Sequence, residues 1–260
     1  MLNERLSRMR EKLWNTRPCI TAEHLVLQTE GYKKFAGDAV PIFRAKVIRH
    51  IMENMTALIL DDELIVGTAT NKYRGANLFP EFQSASMFYI PDIDEFPVRK
   101  TDPYDIDPED RDTILKILNE YWIGRSMEDL AQDALPPEIE LARQEDLISV
   151  GLRNGVSGET TCDHEKLLTI GLKGYMDECR ANIATTISGS YEDQAKIDFW
   201  KACIIQCEGL ITYAHHMADQ AELLAAQCTD EKRKRNCSKL QKTAASCLRI
   251  LPRPSSRLSS

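Results

Sequence analysis

The side chains of this chain that could do chemistry are few and scattered. Cys203 and Cys207 lie four apart, so a helix would carry both thiols on one face. A metal pair or a disulfide needs that proximity, but so does ordinary packing of two soft apolar groups, and packing is the expected role. The chain has eight cysteines with no CxxC pair and no zinc spacing, so reduced thiols and no metal site are expected. His215 and His216 are adjacent, and neighbouring positions on a helix point in different directions, which suits surface or packing roles better than shared ligation. His164 beside Asp163 has the composition of a poised base, and also of a plainly solvated histidine. Asp163 stands at the head of a helical pattern, where its carboxylate would cap the first turn. The segment from Gly151 to Gly158 holds three glycines but neither GxGxxG nor a lysine-serine ending, so it is not a phosphate cradle.

The elements that must position these residues are mostly helices. Leu2, Leu6, Met9 and Leu13 recur at helical spacing until Arg17-Pro18 breaks the pattern. Thr21 is a plausible N-cap for a second helix reaching Phe35 before Gly37-Asp38 ends it. Pro41 suits the first turn of a third helix running to Asn54. Ala57 to Leu60 and Leu64 to Gly67 read as two short strands around Asp61-Asp62. Residues 68 to 107 carry prolines at 80, 91, 97 and 103 and read as irregular. Asp107-Pro108-Glu109-Asp110 starts a helix whose apolar face ends near Trp122, and shorter helices follow at Ser126 to Ala134 and Pro137 to Gln144. Gly151 to Thr161 reads as a loop and Cys162 to Cys179 as a helix. Tyr191 to Ala226 has apolar residues at every third or fourth position and a second stripe through Cys203, Leu210, Met217 and Leu224. Its apolar face is wide enough to require cover on more than one side.

With 260 residues and 43% hydrophobic content, the chain can bury a real core. The N-terminus is charged and amphipathic, and no run of about 18 apolar residues occurs, so a cytoplasmic protein without a membrane span is expected. The net charge of −7 is uneven: Thr229 to Ser260 holds nine Lys and Arg against two acids, which leaves −14 on the rest. Such a basic tail is often a nucleic-acid or membrane patch. A different origin is preferred here, and no nucleic-acid partner is expected.

Several segments in order carry a resemblance. They are Glu4-Arg5-Leu6, Ala22-Glu23, Thr29-Glu30-Gly31-Tyr32, Pro41 with Arg44-Ala45, Glu53-Asn54, Asp62 to Gly67 and Phe79-Pro80-Glu81. Tyr121-Trp122, Arg125, Gly158 with Asp163, Lys166-Leu167-Leu168, Gly171-Leu172 and Tyr213-Ala214 continue the series. Together they resemble the N-terminal region of glycyl radical enzymes of the pyruvate formate-lyase type. The resemblance implies a mainly α fold with a minor β element, the outer helical part of a barrel enzyme whose full chain is about three times as long. It implies a stored glycyl radical, in an Arg-Val-x-Gly-Tyr context, installed by a separate iron-sulfur, S-adenosylmethionine-dependent activase. It also implies a cysteine, in a Gly-Cys-x-Glu context, that takes hydrogen from substrate. Neither context occurs here, since Cys207-Glu208 lacks the preceding glycine. No catalytic residue and no bound cofactor is therefore assigned to this chain, which is expected to be inactive alone.

In relatives, the segment matching Gly158 to His164 reads Gly-His-x-x-x-Asp-Tyr and walls the substrate cavity. Here Glu159 replaces the histidine and His164 the tyrosine. A buried carboxylate needs a donor or cation against its desolvation, so Glu159 would suit a substrate with a hydroxyl or an amine; capping the next helix is its other reading. Asp163, and Asn154 and Ser157 in the preceding loop, are further cavity candidates. The implied reaction is a dehydration or a C–C, C–N or C–S lyase step, or formate acetyl transfer, on a small molecule. The alternative is a non-catalytic helical partner-binding protein, such as one half of a split enzyme. An activase and a C-terminal half or a second copy are the implied partners.

Residues 1–235 read as the N-terminal portion of the pyruvate formate-lyase domain, and residues 236–260 as a frameshifted tail. Full-length relatives continue past a segment like Glu231 to Arg235 with Glu-Leu-Leu-x-Ile-Ala-Glu-x-Cys-Arg-x-x-Pro. The residues from Asn236 to Arg249, written as plausible codons and shifted by one base, yield Glu-Leu-Leu-Lys-Ile-Ala-Glu-Asn-Cys-Arg-Val-Leu-Pro. Reading the coding DNA in the other frame should reveal that continuation, and its absence there would refute the frameshift.

Overall fold

Helices form because apolar residues recur at steps of three and four over most of the chain, and the longest such run becomes the longest helix. The computed structural model describes residues 3–148 and 163–246. The expected loop from Gly151 to Thr161, the expected helix start at Cys162 and residues 247–260 lie outside them. The described residues divide into two compact units, one of 3–9, 30–71 and 163–246 and one of 10–29 and 72–148. The elements are α1 (Glu4–Asn15), β1 (Cys19–Ile20), α2 (Glu23–Lys34), α3 (Val40–Asn54), β2 (Gly75–Ala76), α4 (Ile90–Asp92) and β3 (Asp105–Ile106). They continue with α5 (Pro108–Ile117), α6 (Met127–Asp133), α7 (Pro137–Gln144), α8 (His164–Thr185), α9 (Tyr191–Gln227) and α10 (Glu231–Ser246). Two π-helical turns, Ala85–Tyr89 and Leu118–Trp122, abut α4 and α5.

The first unit is organised by α9, whose 37 residues span about 55 Å at about 1.5 Å each. Ser190 caps it by accepting from Asp193 N at 3.1 Å. Three helices, α3, α8 and α10, pack along it. Against α3 the approach is so close that a Cβ on Gly209 would stand 3.0 Å from Arg49 Cα. Arg49 then bridges the two helices, donating to Glu53 on its own helix (2.5 Å) and to Glu208 of α9 (2.7 Å). Pro41 sits in the first turn of α3, as its fixed φ dictates. Further along, Met217, Ala218 and Ala221 of α9 enclose Ile59, Leu240 and Ala244. Helix α10 runs on past residue 236 because Cys237, Leu240 and Ala244 fall at steps of three and four and all are buried.

The expected strand pair at 57–67 does not form; a single antiparallel bridge, Leu58 with Thr68, takes its place. Side chains satisfy the backbone there instead of a ladder. Glu63 accepts from Leu60 N (2.8 Å), Arg233 donates to Leu60 O (2.7 Å), and Arg5 donates to Asp62 O (2.8 Å). Asp62 holds φ +66, a left-handed conformation that aspartate tolerates better than most residues.

In the second unit the β element is a parallel sheet of three two-residue strands in the order β2-β1-β3. Residues 68 to 107 are thus not irregular throughout. Their strands are too short to alternate and their π turn has no 3.6 period, so neither leaves a readable pattern. Thr21 does not cap α2. Its N–H extends the sheet by donating to Ala76 O (3.1 Å), its hydroxyl is buried without a partner, and Asp110 accepts instead from Ala22 N (3.3 Å). The core around α2 is pinned by a relay in which Trp122 Nε1 donates to Thr29 Oγ1 (2.8 Å) and Thr29 donates to Leu25 O (2.7 Å). Ser126 caps α6 with a reciprocal bond to Asp129.

Gly209→Val should lower unfolding free energy by about 2 kcal/mol, because overpacking against Arg49 outweighs the gain in helix propensity. Chemical denaturation followed by helical circular dichroism measures it; an unchanged midpoint would mean the helices are not so closely apposed.

Candidate functional site

Of the four cavity candidates, Glu159, Asn154 and Ser157 lie outside the described residues, and Asp163 is placed. Its Oδ1 accepts from Lys166 N at 2.9 Å, which makes it the N-cap of α8, and its side chain is exposed. His164 follows as the first helical residue and is also exposed. The two histidines of the tandem diverge as expected, His215 exposed and His216 half-buried on α9.

What orients the start of α8 is a kink. Gly171 adopts φ +65 and ψ 180, which only glycine takes without strain, and it divides the helix in two. Lys166 on the leading piece reaches back across the kink to Glu178 (2.5 Å) and lies 5.0 Å from the centre of the Tyr175 ring. The helix also runs six residues past the expected end at Cys179, to Thr185.

The three neighbouring thiols of α8 and α9, Cys179, Cys203 and Cys207, are not arranged for reaction. Cys207 is buried, and burial pushes its pKa up to about 11; burial likewise raises Cys179 and Cys203. Protonated thiols in an apolar setting pack and do not attack. Among the described residues, no group of three His, Cys, Asp or Glu side chains is placed to hold a metal ion. No helix among them is long and apolar enough to cross a membrane.

The residues that carried the resemblance sit at joints. Asp62 receives both Arg8 Nη2 (2.5 Å) and Nε (2.8 Å), and that hydrogen bonding holds its carboxyl below the usual range. Tyr213 OH donates to Thr68 O at 2.7 Å. Arg44 donates to Tyr32 OH, and the Tyr32 ring meets Phe43 edge to face at 4.9 Å. Gly31 lets Val47 Cα come within 3.3 Å of where its Cβ would be. Glu81 is buried and its carbonyl accepts from Met127 N at 2.8 Å. Sequence reasoning missed two further joints. Lys72 pairs with both Asp107 and Asp110, and Glu128, 7% exposed, accepts from Ser84 N at 3.0 Å. The local signal available was only that Asp107 stands at the N-cap of α5 and that Asp110 and Glu128 stand in the first turns of α5 and α6.

Each unit also holds a cavity with apolar or aromatic lining. An apolar one of about 480 Å³ is lined by Val66, Leu167, Leu172, Leu210, Met217 and neighbours. The other, of about 460 Å³, is walled by Phe79, Phe88, Phe96 and Tyr104 with Asp92 and Arg99.

The sequence profile described as Pyruvate formate lyase-like matches residues 2–258. The chain belongs to that family. It is similar to the isethionate sulfite-lyase of Nitratidesulfovibrio vulgaris, 31% identical over 94% of this chain and 30% of the relative. It is 28% identical to the trans-4-hydroxy-L-proline dehydratase of Clostridioides difficile, over 90% of this chain and 29% of the relative. Its fold matches the glycerol-bound, B12-independent glycerol dehydratase of Clostridium butyricum with a TM-score of 0.88 and 30% identity, over 95% of this chain and 31% of that one. The chain thus spans about 30% of the length of the relatives it matches. It is mainly helical and matches about 30% of the length of glycyl radical enzyme structures.

Asp163→Ala should cost about 1 kcal/mol through loss of the α8 cap, whereas Asp163→Asn, which can still accept from Lys166 N, should cost little. Thermal unfolding of both variants distinguishes a cap from a residue with no structural part, for which the two would be alike.

Proposed function

We propose that this chain supplies the N-terminal helical portion of a cytoplasmic glycyl radical dehydratase or lyase acting on a small molecule that carries a hydroxyl or an amine. The observation that carries the reading is the superposition of nearly the whole chain on a glycerol dehydratase, together with kinship to a sulfite-lyase and a hydroxyproline dehydratase. Family-like residues sit at its helix joints, as a structural portion of a larger enzyme requires. The radical glycine and hydrogen-abstracting cysteine of such an enzyme stand in Arg-Val-x-Gly-Tyr and Gly-Cys-x-Glu contexts. Neither occurs in these 260 residues, so no residue here takes a radical step. The chain alone is inactive, and the remaining parts come from further sequence, from a separate C-terminal half or with a second copy; an activase installs the radical. The reading of residues 236–260 as a shifted-frame product rests on the family-like continuation that the other frame yields and not on the fold, in which Cys237, Leu240 and Ala244 are buried.

Within this reading Glu159 contributes to the substrate cavity, Asn154 and Ser157 are further candidates for it, and Asp163 serves the helix that follows. A carboxylate at that wall accepts from a substrate hydroxyl or ammonium, which favours dehydration and related eliminations over formate acetyl transfer.

Anaerobic reconstitution with a polypeptide bearing both motifs, plus the activase, should give a glycyl radical signal by electron paramagnetic resonance and turnover of a diol or amine substrate. Glu159→Gln should lower kcat/KM about tenfold or more, the effect of a lost hydrogen bond to a charged group. Turnover by this chain alone, or equal turnover without it, would overturn the reading.

A further inference from the structure

We infer that the cavity walled by Phe79, Phe88, Phe96 and Tyr104 binds a small planar monocarboxylate. Its volume of about 460 Å³ is that of a small-ligand site, and its aromatic residues are joined on the lining by the polar Asn77, Gln83, Asp92 and Arg99. Arg99 is the group that decides the ligand. Its Nε donates to Asp102 O at 2.7 Å, and its guanidinium lies 4.6 Å from the Phe96 ring centre and 5.5 Å from that of Tyr104. Tyr104 N in turn donates to Phe96 O at 2.9 Å, so the two rings are fixed relative to each other. The turn that presents Asp102 O is held at φ +48. The guanidinium is therefore oriented before any ligand arrives, and little side-chain entropy is lost on binding.

Neighbouring arginines of this unit are neutralised: Arg17 pairs with Asp105 (3.2 Å), and Arg111 with Asp94 (2.6 Å) and Asp112 (3.1 Å). Arg99 has no carboxylate within ion-pair distance among the described residues, and its two Nη groups take no hydrogen bond there. The two Nη groups of Arg99, a lining residue, match the two oxygens of a carboxylate, and the aromatic residues of the lining offer contact for a planar ligand body. Asp92, on the same lining, adds a negative charge that Arg99 can offset for one ligand carboxylate but not for two, and it accepts from a ligand hydroxyl or amine. Hence one carboxylate and not two. This inference is independent of the radical chemistry proposed above.

Benzoate titrated into the purified full chain, followed by calorimetry or by aromatic NMR shifts, should show one saturable site. Acetate and benzamide should each bind at least about tenfold more weakly, the first lacking the ring and the second the charge. Arg99→Gln should weaken benzoate about tenfold or more with unchanged circular dichroism. Arg99→Lys, which keeps the charge without the paired donors, should fall between, and it serves if the glutamine variant does not fold. Absence of saturable binding, equal binding by the glutamine variant, or acetate binding as well as benzoate would overturn the inference.

Discussion

Covering α9 is the constraint from which the rest of its unit follows. A helix of 37 residues with buried positions from Ile197 to Ala221 presents far more apolar surface than one neighbour can shield, and each buried CH₂ contributes about 0.8 kcal/mol only if water is excluded. Three helices meet that demand in different ways. Against α3 the contact is nearly backbone on backbone at Gly209, with the Arg49–Glu208 pair closing its edge. Against α10 it is made of small residues, Ala218, Ala221 and Ala244, with Leu240 and Met217 filling between them. Leu210, Leu223 and Phe199 remain open to solvent among the described residues, so the demand is met only in part.

That partial cover bears on how the chain relates to its family. Its match extends over nearly all of its own length and about 30% of that of its relatives. Of the residues on which the resemblance rests, those placed at joints are not reactive groups. Asp62 gathers two arginines, Tyr213 ties α9 to the 57–68 segment, and Gly31 admits Val47. They are the points where one element must approach another at a set distance, and such geometry tolerates few residue types even where no chemistry occurs.

The same distinction explains what could be read from the residues alone. Helices α3, α5, α6, α7 and α9 were legible because a 3.6-residue period repeats over several turns and is bounded by proline, serine or aspartate. The sheet was not legible, since two-residue strands hold no alternation and their pairing joins positions as distant as Cys19 and Asp105. Ala57 to Gly67 misled because β-branched and apolar residues around Asp61-Asp62 imitate a hairpin. Long-range donors from Arg5 and Arg233 had already claimed that backbone. At the candidate site, Asp163 announced its capping role by standing at the head of a helical pattern. The kink at Gly171 left no local mark, because a glycine within a helical pattern is ambiguous until its φ is known.

The π turn at Leu118–Trp122 has one more residue per hydrogen-bonded loop than the α-helix it extends. Removing a single residue from that turn would rewind it to ordinary α pitch and rotate every following side chain by about 100°. The indole of Trp122 would then swing away from the Thr29 hydroxyl, and its nitrogen would be stranded in a core from which water is excluded. A length change that alters no charge and no hydrophobic pattern is therefore more damaging here than most substitutions. The spare residue works as a register pin between two stretches of chain separated by more than ninety positions.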